Sequence, residues 1–217
     1  ELGTPITVIK GYLETIADNL DSFDSRWHKP IEQMRSQSQR MENIVRDLLV
    51  LSSIETRAAP RAQEKIDLEE LAQEIKGHTQ EIMAEKQHNF SINCPNEIIL
   101  LGQRSELYSA LSNLVINAAK YTPAGGMIEL RAALDSTRVK IEVEDNGLGI
   151  ESHHIPRLTE RFYRVDPSRS AESGGTGLGL AIVKHILARH DSELEVKSTP
   201  RKGSVFGCHI PRERVLD

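Results

Sequence analysis

Leu2, Ile6, Ile9, Leu13, Ile16 and Leu20 alternate steps of four and three, the repeat that lays one apolar seam along a helix. A pause at "DSFDSRWHKP", where Asp, Ser and Pro cluster, separates this seam from a second helical run ending near Ile54. In that run Ile31, Met34, Met41, Val45 and Leu48 hold one face, and Ile44, Leu51 and Ile54 widen it. Two helices cover only part of each other's stripe, so the pattern predicts a helical hairpin that pairs with a second copy as a four-helix bundle. A helix packing onto the rest of the chain is the alternative. Pro5 sits inside the first seam. Either Thr4 is an N-cap and Pro5 the first helical residue, or the helix runs through the proline and kinks there.

After "TRAAPRAQEK" the period changes. "DLEELAQEIKGHTQEIMAEK" is an amphipathic helix with Asp67 as its cap, "FSINCP" and "EIILLG" read as short strands, and "SELYSALSNLVINAAKYT" reads as a helix from Ser105. "GGMIELRAAL" and "RVKIEVEDNG" alternate as strands joined around "DST", a hairpin signal. A loop-rich stretch follows, then the helix "GLGLAIVKHILARH" and the strands "SELEVKST" and "GSVFGCHIP". Helices and strands mix without regular alternation, which favours an α+β layer of helices on a largely antiparallel sheet over a doubly wound fold. The expected organisation is a hairpin over 1–56, a linker over 57–65 and an α/β sandwich over 66–217.

Composition narrows the possibilities further. With 38% apolar and 27% charged residues in 217, the chain has the makeup of a soluble globular protein, and its net charge of -5 speaks against a dedicated nucleic-acid binder. No apolar run has the length of a membrane span, so no membrane contact is expected from this chain. It begins without a methionine and inside a heptad pattern, which suggests a piece of something longer whose membrane anchor lies elsewhere. Cys94 and Cys208 lie far apart without metal-ligand spacing and are expected to be reduced thiols.

Candidate chemistry concentrates in three stretches. "EDNGLGI" ends a strand and "GGTGLGLAI" opens a helix. Each could serve a tight turn, but a glycine run leading into a helix also offers unpaired N–H groups and a positive dipole end to phosphate. Neither the Walker nor the dinucleotide pattern fits, because no Lys follows the last glycine and no strand precedes the run. Asp145 stands where a carboxylate could accept a hydrogen bond from a base amine, or could simply begin a turn. Asn113 and Asn117 lie four apart on one helical face, with Lys120 and Tyr121 a turn later. Two amides on an otherwise apolar helix must bond the sheet or bind something; amide oxygen suits magnesium, and lysine supplies the charge for phosphate.

Taken in order, these stretches resemble the motifs of sensor histidine kinases of two-component signalling. "ELGTPITVIKGYLE" resembles the segment after the phosphoacceptor histidine, "NLVINAAKYT" the asparagine box, "EDNGLGI" and "GGTGLGLAI" the two glycine boxes, and "ERFYRVD" the phenylalanine box. "IPRLTERFYRVD" and "GLGLAIVKH" look most like the branch of the family that serves the phosphate regulon. The resemblance implies dimerisation and phosphotransfer helices over 1–56, and over 66–217 the ATP-binding Bergerat sandwich shared with gyrase, Hsp90 and MutL. It implies a homodimer, a response-regulator partner, and a place as the cytoplasmic portion of a bacterial inner-membrane protein.

Carried over by position, the resemblance implies that Asn117 binds magnesium with Asn113 assisting, Lys120 meets phosphate and Tyr121 packs near the nucleotide. Asp145 would recognise the adenine amine of ATP, with Gly147 and Gly149 giving it room. Gly175, Thr176, Gly177, Leu178 and Gly179 would offer backbone to the phosphates. The stretch from about Glu151 to Gly175 would be a mobile lid, from which Arg164 reaches the γ-phosphate. Glu1 would be the general acid/base beside a histidine immediately upstream of it, and Thr4 would help place water for dephosphorylating the regulator. His28, His153, His154, His185 and His190 do not precede a Glu-x-x-Thr-Pro sequence and are expected to be surface or core histidines. Two other classes fit the motifs less well: an ATPase with a conformational rather than phosphotransfer cycle, and a non-catalytic dimeric adaptor.

Overall fold

The computed structural model describes residues 3–17, 24–56, 63–95, 98–135, 137–165 and 175–216, with the side chains of 3–8 and 56 outside the description. Two helices, α1 (Gly3–Ala17) and α2 (His28–Thr56), form an antiparallel hairpin. Helix α1 is already helical at Gly3, so Thr4 is not its N-cap and Pro5 lies within the described helix. A short 3₁₀ turn, Ser25–Trp27, leads into α2, and Asp24 caps it by accepting from the Arg26 N–H at 3.0 Å. Lys10 of α1 and Glu42 of α2 pair across the hairpin at 3.0 Å.

The remaining elements build an α/β sandwich. They are β1 (Glu64–Asp67), α3 (Leu68–Glu85), β2 (Asn89–Asn93), β3 (Ile99–Gly102), α4 (Arg104–Tyr121), β4 (Met127–Leu134), β5 (Arg138–Asp145), α5 (Gly179–Arg189), β6 (Leu194–Thr199), β7 (Gly203–Pro211) and β8 (Val215–Leu216). Asp67 caps α3 by accepting from the Glu70 N–H at 3.0 Å, as the sequence predicts. The main sheet runs β2-β4-β5-β7-β6, antiparallel except for the β2–β4 pair. A smaller sheet, β1-β3-β8, was not foreseen; its first strand begins at Glu64, inside the stretch read as linker.

Alternation decides which side of the main sheet faces the helices. Ile128, Leu130 and Ala132 of β4 pair with Asp145, Val143 and Ile141 of β5, and those with Ser204, Phe206 and Cys208 of β7. These inward side chains are buried beneath α3, α4 and α5. The outward face carries Glu129, Arg131, Lys140, Glu142 and Glu144, with Arg131 bonded to all three glutamates. Asp145 is therefore the last position on the core face of β5, a carboxylate that continues the row Val139, Ile141, Val143.

Helix α2 joins the two parts. Leu51 and Ile54 are buried in the core of the sandwich, each fully buried side chain of this size contributing about 1.5–3 kcal/mol. Glu55 pairs with Arg161 and lies 3.4 Å from His185 of α5. The alternative of a helix packing onto the rest of the chain is thus met by the C-terminal end of α2. Elsewhere the hairpin leaves Ile9, Tyr12, Met34, Met41, Leu48 and Leu49 exposed, Tyr12 by 69%, so a broad apolar stripe stays uncovered in the single chain. Cys94 and Cys208 are free thiols.

Candidate functional site

A cleft of about 610 Å³ opens between α4, the N-terminal end of α5, the end of the main sheet and α2. Its floor is the end of β5 and β7. Asp145 is 7% exposed, and its Oδ1 accepts from the Gly147 N–H at 2.8 Å. Burial raises its carboxyl above the usual aspartate range, partly opposed by the Gly147 and Ser204 N–H groups. The "DNGLGI" turn is held over this carboxylate by neighbours. Tyr121 O accepts from Leu148 N–H at 3.2 Å, Leu148 O from Arg201 N–H at 2.6 Å, and Ser198 Oγ from Ile150 N–H at 2.8 Å.

The two glycines of that turn do different things. A side chain at Gly147 would stand 2.7 Å from Asp145 Oδ1, so this residue does leave the carboxylate room. Gly149, at φ +64°, would place a Cβ 2.0 Å from Thr199 O; it is glycine so that the turn can lie against the β6–β7 connection, not for Asp145.

Helix α4 forms one wall. Asn113, Asn117, Lys120 and Tyr121 all line the cleft. Asn113 Nδ2 donates to Ser109 O at 2.9 Å, leaving its oxygen turned to Gly179 at the start of α5; a Cβ on that glycine would lie 2.6 Å from Asn113 Oδ1. The Asn117 side chain has no hydrogen-bond partner among the described residues, so its amide oxygen is open to a hard cation. Burial lowers the Lys120 ammonium from its usual range, with Arg164 adding to the effect and Asp47 opposing it. Arg164 is likewise lowered by burial.

The second glycine run closes the far side. Gly175, Thr176, Gly177 and Gly179 line the cleft, whereas Leu178, expected to offer backbone to phosphate, is fully buried outside the lining with its N–H bonded to Thr176 Oγ1. Thr176 Oγ1 donates to Asp47 Oδ2 at 2.7 Å and accepts from the Leu178 N–H at 3.2 Å. Gly177, at φ +76°, accepts from the Phe162 N–H at 2.9 Å, which ties the run to the "ERFYRVD" segment. Part of the stretch read as a lid, residues 166–174, lies outside the described residues, as does Glu1; Thr4 is described only as backbone in α1.

Sequence reasoning missed several lining residues. Ser204 and Phe206 occupy inward positions of β7, where alternation alone could have placed them. Tyr163 faces the cleft with its hydroxyl 2.6 Å from His154 Nδ1 and the Arg157 guanidinium 4.2 Å above its ring. Asn43, Arg46 and Asp47 come from α2, which the sequence assigned first to the bundle, with packing onto the rest of the chain as the alternative. Burial raises the Asp47 carboxyl, opposed by the Thr176 bond, Arg46 and Lys120.

The donor set suits a nucleoside triphosphate. A buried carboxylate faces an apolar floor of Leu148, Ile150, Leu158, Leu180 and Phe206, which suits a base bearing an amine. Arg46, Lys120, Arg164 and the N-terminal turn of α5 suit phosphates, and the asparagine oxygens suit magnesium between them.

Comparison with known proteins agrees. The family described as "Histidine kinase-, DNA gyrase B-, and HSP90-like ATPase" matches residues 102–214, and the "His Kinase A (phospho-acceptor) domain" matches residues 1–57. The chain is 45% identical over 217 residues to the phosphate regulon sensor protein PhoR of Pseudomonas aeruginosa, covering all of this chain and 49% of that protein. It is 43% identical over 216 residues to PhoR of Haemophilus influenzae, again all of this chain and 50% of the relative. The chain thus spans about half the length of these curated relatives. Among solved structures, full-length ShkA in complex with AMPPNP superposes with a TM-score of 0.75 at 24% identity, covering 97% of this chain and 44% of that one. Acinetobacter baumannii histidine kinase AdeS gives 0.69 at 22%, covering 97% and 96%. At these identities the likeness is one of fold.

Proposed function

The chain belongs to the sensor histidine kinases of two-component systems, and from that premise we propose that its cleft binds Mg-ATP and passes the γ-phosphoryl group to a histidine immediately upstream of Glu1. The observation that carries this reading is the convergence on one cleft of Asp145, Asn117 with Lys120, and the Thr176–Gly179 turn, contributed by three separate stretches of sequence.

Each residue has a task that its surroundings support. Asp145 accepts a hydrogen bond from the adenine amine on a floor that excludes water. Asn117, with the oxygen of Asn113, holds magnesium, which when bound supplies charge neutralisation between the phosphates. Lys120 and Arg164 balance the remaining phosphate charge, and the first N–H groups of α5 meet the oxygens directly. Phosphoryl transfer asks little covalent chemistry of the protein, so positioning and charge account for the rate. Glu1 would take the proton shared with the acceptor imidazole, and Thr4 would orient water when the phosphorylated regulator is hydrolysed.

The apolar stripe left exposed on the hairpin supports dimerisation through residues 1–56, followed by a connection into the ATP-binding unit. The phosphoryl group would then pass to an aspartate of a response regulator docked on α1. Similarity to PhoR proteins points to signalling of phosphate supply from the cytoplasmic side of a bacterial inner membrane. No described helix is itself long and apolar enough to cross a membrane.

The test is incubation of the full-length protein with γ-labelled ATP and magnesium, followed by addition of candidate regulators. An acid-labile, base-stable label that moves to a regulator is expected, and Asn117→Asp should abolish it. ATP hydrolysis without phosphohistidine would instead favour an ATPase cycle, and labelling by Asn117→Asp at the unmutated rate would remove Asn117 from the site.

A further inference from the structure

Accepting the cleft as a nucleotide site, its phosphate corner contains a group that does not suit phosphate. Asp47 reaches in from α2, half-buried, and its Oδ2 accepts a hydrogen bond from the Thr176 hydroxyl at 2.7 Å. The single donor of that hydroxyl is thereby used, and Thr176 Oγ1 also accepts from the Leu178 N–H just before α5. The Asp47 charge also reaches Lys120 and Arg46, two of the cations that line the cleft. A carboxylate thus holds the hydroxyl of the turn that leads into α5 and lies within electrostatic reach of two cations that phosphate oxygens would use.

The placement of Asp47 is anchored from its own helix. Leu51 and Ile54, one and two turns further along the same face of α2, are buried in the sandwich core, and Glu55 pairs with Arg161. Docking the end of α2 therefore brings Asp47 to Thr176 as a matter of helical geometry.

We propose that Asp47 is a built-in competitor for nucleotide phosphate, an anionic side chain of the hairpin that fills the phosphate corner whenever α2 is docked against α5. Bound nucleotide and the Asp47–Thr176 bond exclude one another, so each weakens the other by the same factor. This gives the hairpin a direct hold on nucleotide affinity: whatever shifts α2 away from α5 withdraws the carboxylate and exposes Thr176 and Lys120 to ATP.

The experiment measures Mg-ATP dissociation constants by calorimetry on the full chain and two variants. Asp47→Ala removes the competitor and is expected to tighten binding by roughly five- to tenfold. Asp47→Asn keeps an acceptor for the Thr176 hydroxyl while discarding the charge, and is expected to tighten binding by roughly two- to threefold, placing it between the two. Melting curves establish that each variant is folded, and if the alanine variant is not, the isosteric asparagine variant decides. Unchanged or weaker affinity in the folded variants would overturn the proposal, weaker affinity marking Asp47 as a contributor to metal or nucleotide binding. The unmutated chain in the same titration separates this from the kinase reading: if it binds no Mg-ATP, the nucleotide site itself has failed.

Discussion

Replacing Asp145 by asparagine should separate affinity from stability. In the free protein its carboxylate is buried to 7% exposure and bonded to the Gly147 N–H at 2.8 Å, and burial raises its pKa. A raised folded pKa means that the ionised form is penalised on folding: stability is fullest below the ordinary aspartate pKa and is lost as pH rises through the folded value. Asparagine has the shape of the protonated acid and carries no charge, so Asp145→Asn should melt higher than the unmutated chain at pH 7. The advantage should shrink as pH is lowered through the Asp145 pKa. Nucleotide binding should move the other way. A hydrogen bond from an adenine amine contributes about 1.5–3 kcal/mol to a buried carboxylate and about 0.5–1.5 kcal/mol to a neutral acceptor, so losing the charge weakens Mg-ATP binding by roughly 5- to 13-fold. In the unmutated protein affinity should also fall as pH drops through the raised pKa, a dependence that the variant lacks beyond the titration of ATP itself. Calorimetry gives both affinities, and scanning calorimetry at pH 7 and pH 5 gives both stabilities. Equal ATP affinity in the variant would refute the assignment of Asp145 to the base, and a lower melting point at pH 7 would refute the claim that its charge is buried at a cost.

Two further outcomes follow from the packing around the cleft. Gly203 has φ +108°, and a Cβ there would lie 1.9 Å from Asp145 O and 2.8 Å from Asn146 Cα, so Gly203→Ala should destabilise by about 3 kcal/mol or more and lower the melting temperature by about 6–12 °C; a shift under about 2 °C would show that this turn can be rebuilt cheaply. His190, 1% exposed, donates from Nδ1 to Ile186 O at 2.8 Å and accepts at Nε2 from the Gln103 N–H at 3.2 Å, an arrangement that only the neutral ring satisfies. Burial lowers its pKa, with Arg214 and Arg189 adding to the effect and Glu106 opposing it. Its contribution to stability is therefore present above the ordinary histidine pKa of about 6.5 and is lost as pH falls through the folded value. Urea unfolding at pH 7.5 and 5.5 should show a steeper loss for the unmutated chain than for His190→Asn; parallel losses would mean that the ring is charged in the fold.

What was legible in the sequence, and what was not, follows from where the apolar stripes end. Asn113, Asn117 and Lys120 could be placed together because helical spacing is local, and Asp145 because strand alternation is local too. The short strands β1 and β8 carry too few residues to show a period, and alternation cannot tell the parallel β2–β4 pair from an antiparallel one. The wall formed by α2 was missed for a different reason. Asn43, Asp47, Leu51 and Ile54 follow one another in steps of four, four and three, a single stripe on one face of the helix. Its apolar end is buried in the sandwich core and its polar end faces the cleft. The rows on β5 and β7 behave alike: Val139, Ile141 and Val143 give way to Asp145, and Ile210, Cys208 and Phe206 to Ser204. In all three elements the direction of the side chains is unchanged while their chemistry turns from apolar to polar. A core cannot use such positions without partners, since an unbonded buried polar group costs about 1–3 kcal/mol. A ligand can. The signal for this cleft was therefore present in the α2 stripe as an amide and a carboxylate continuing an apolar row; it could be interpreted only once the burial of Leu51 and Ile54 showed which partner that row faces.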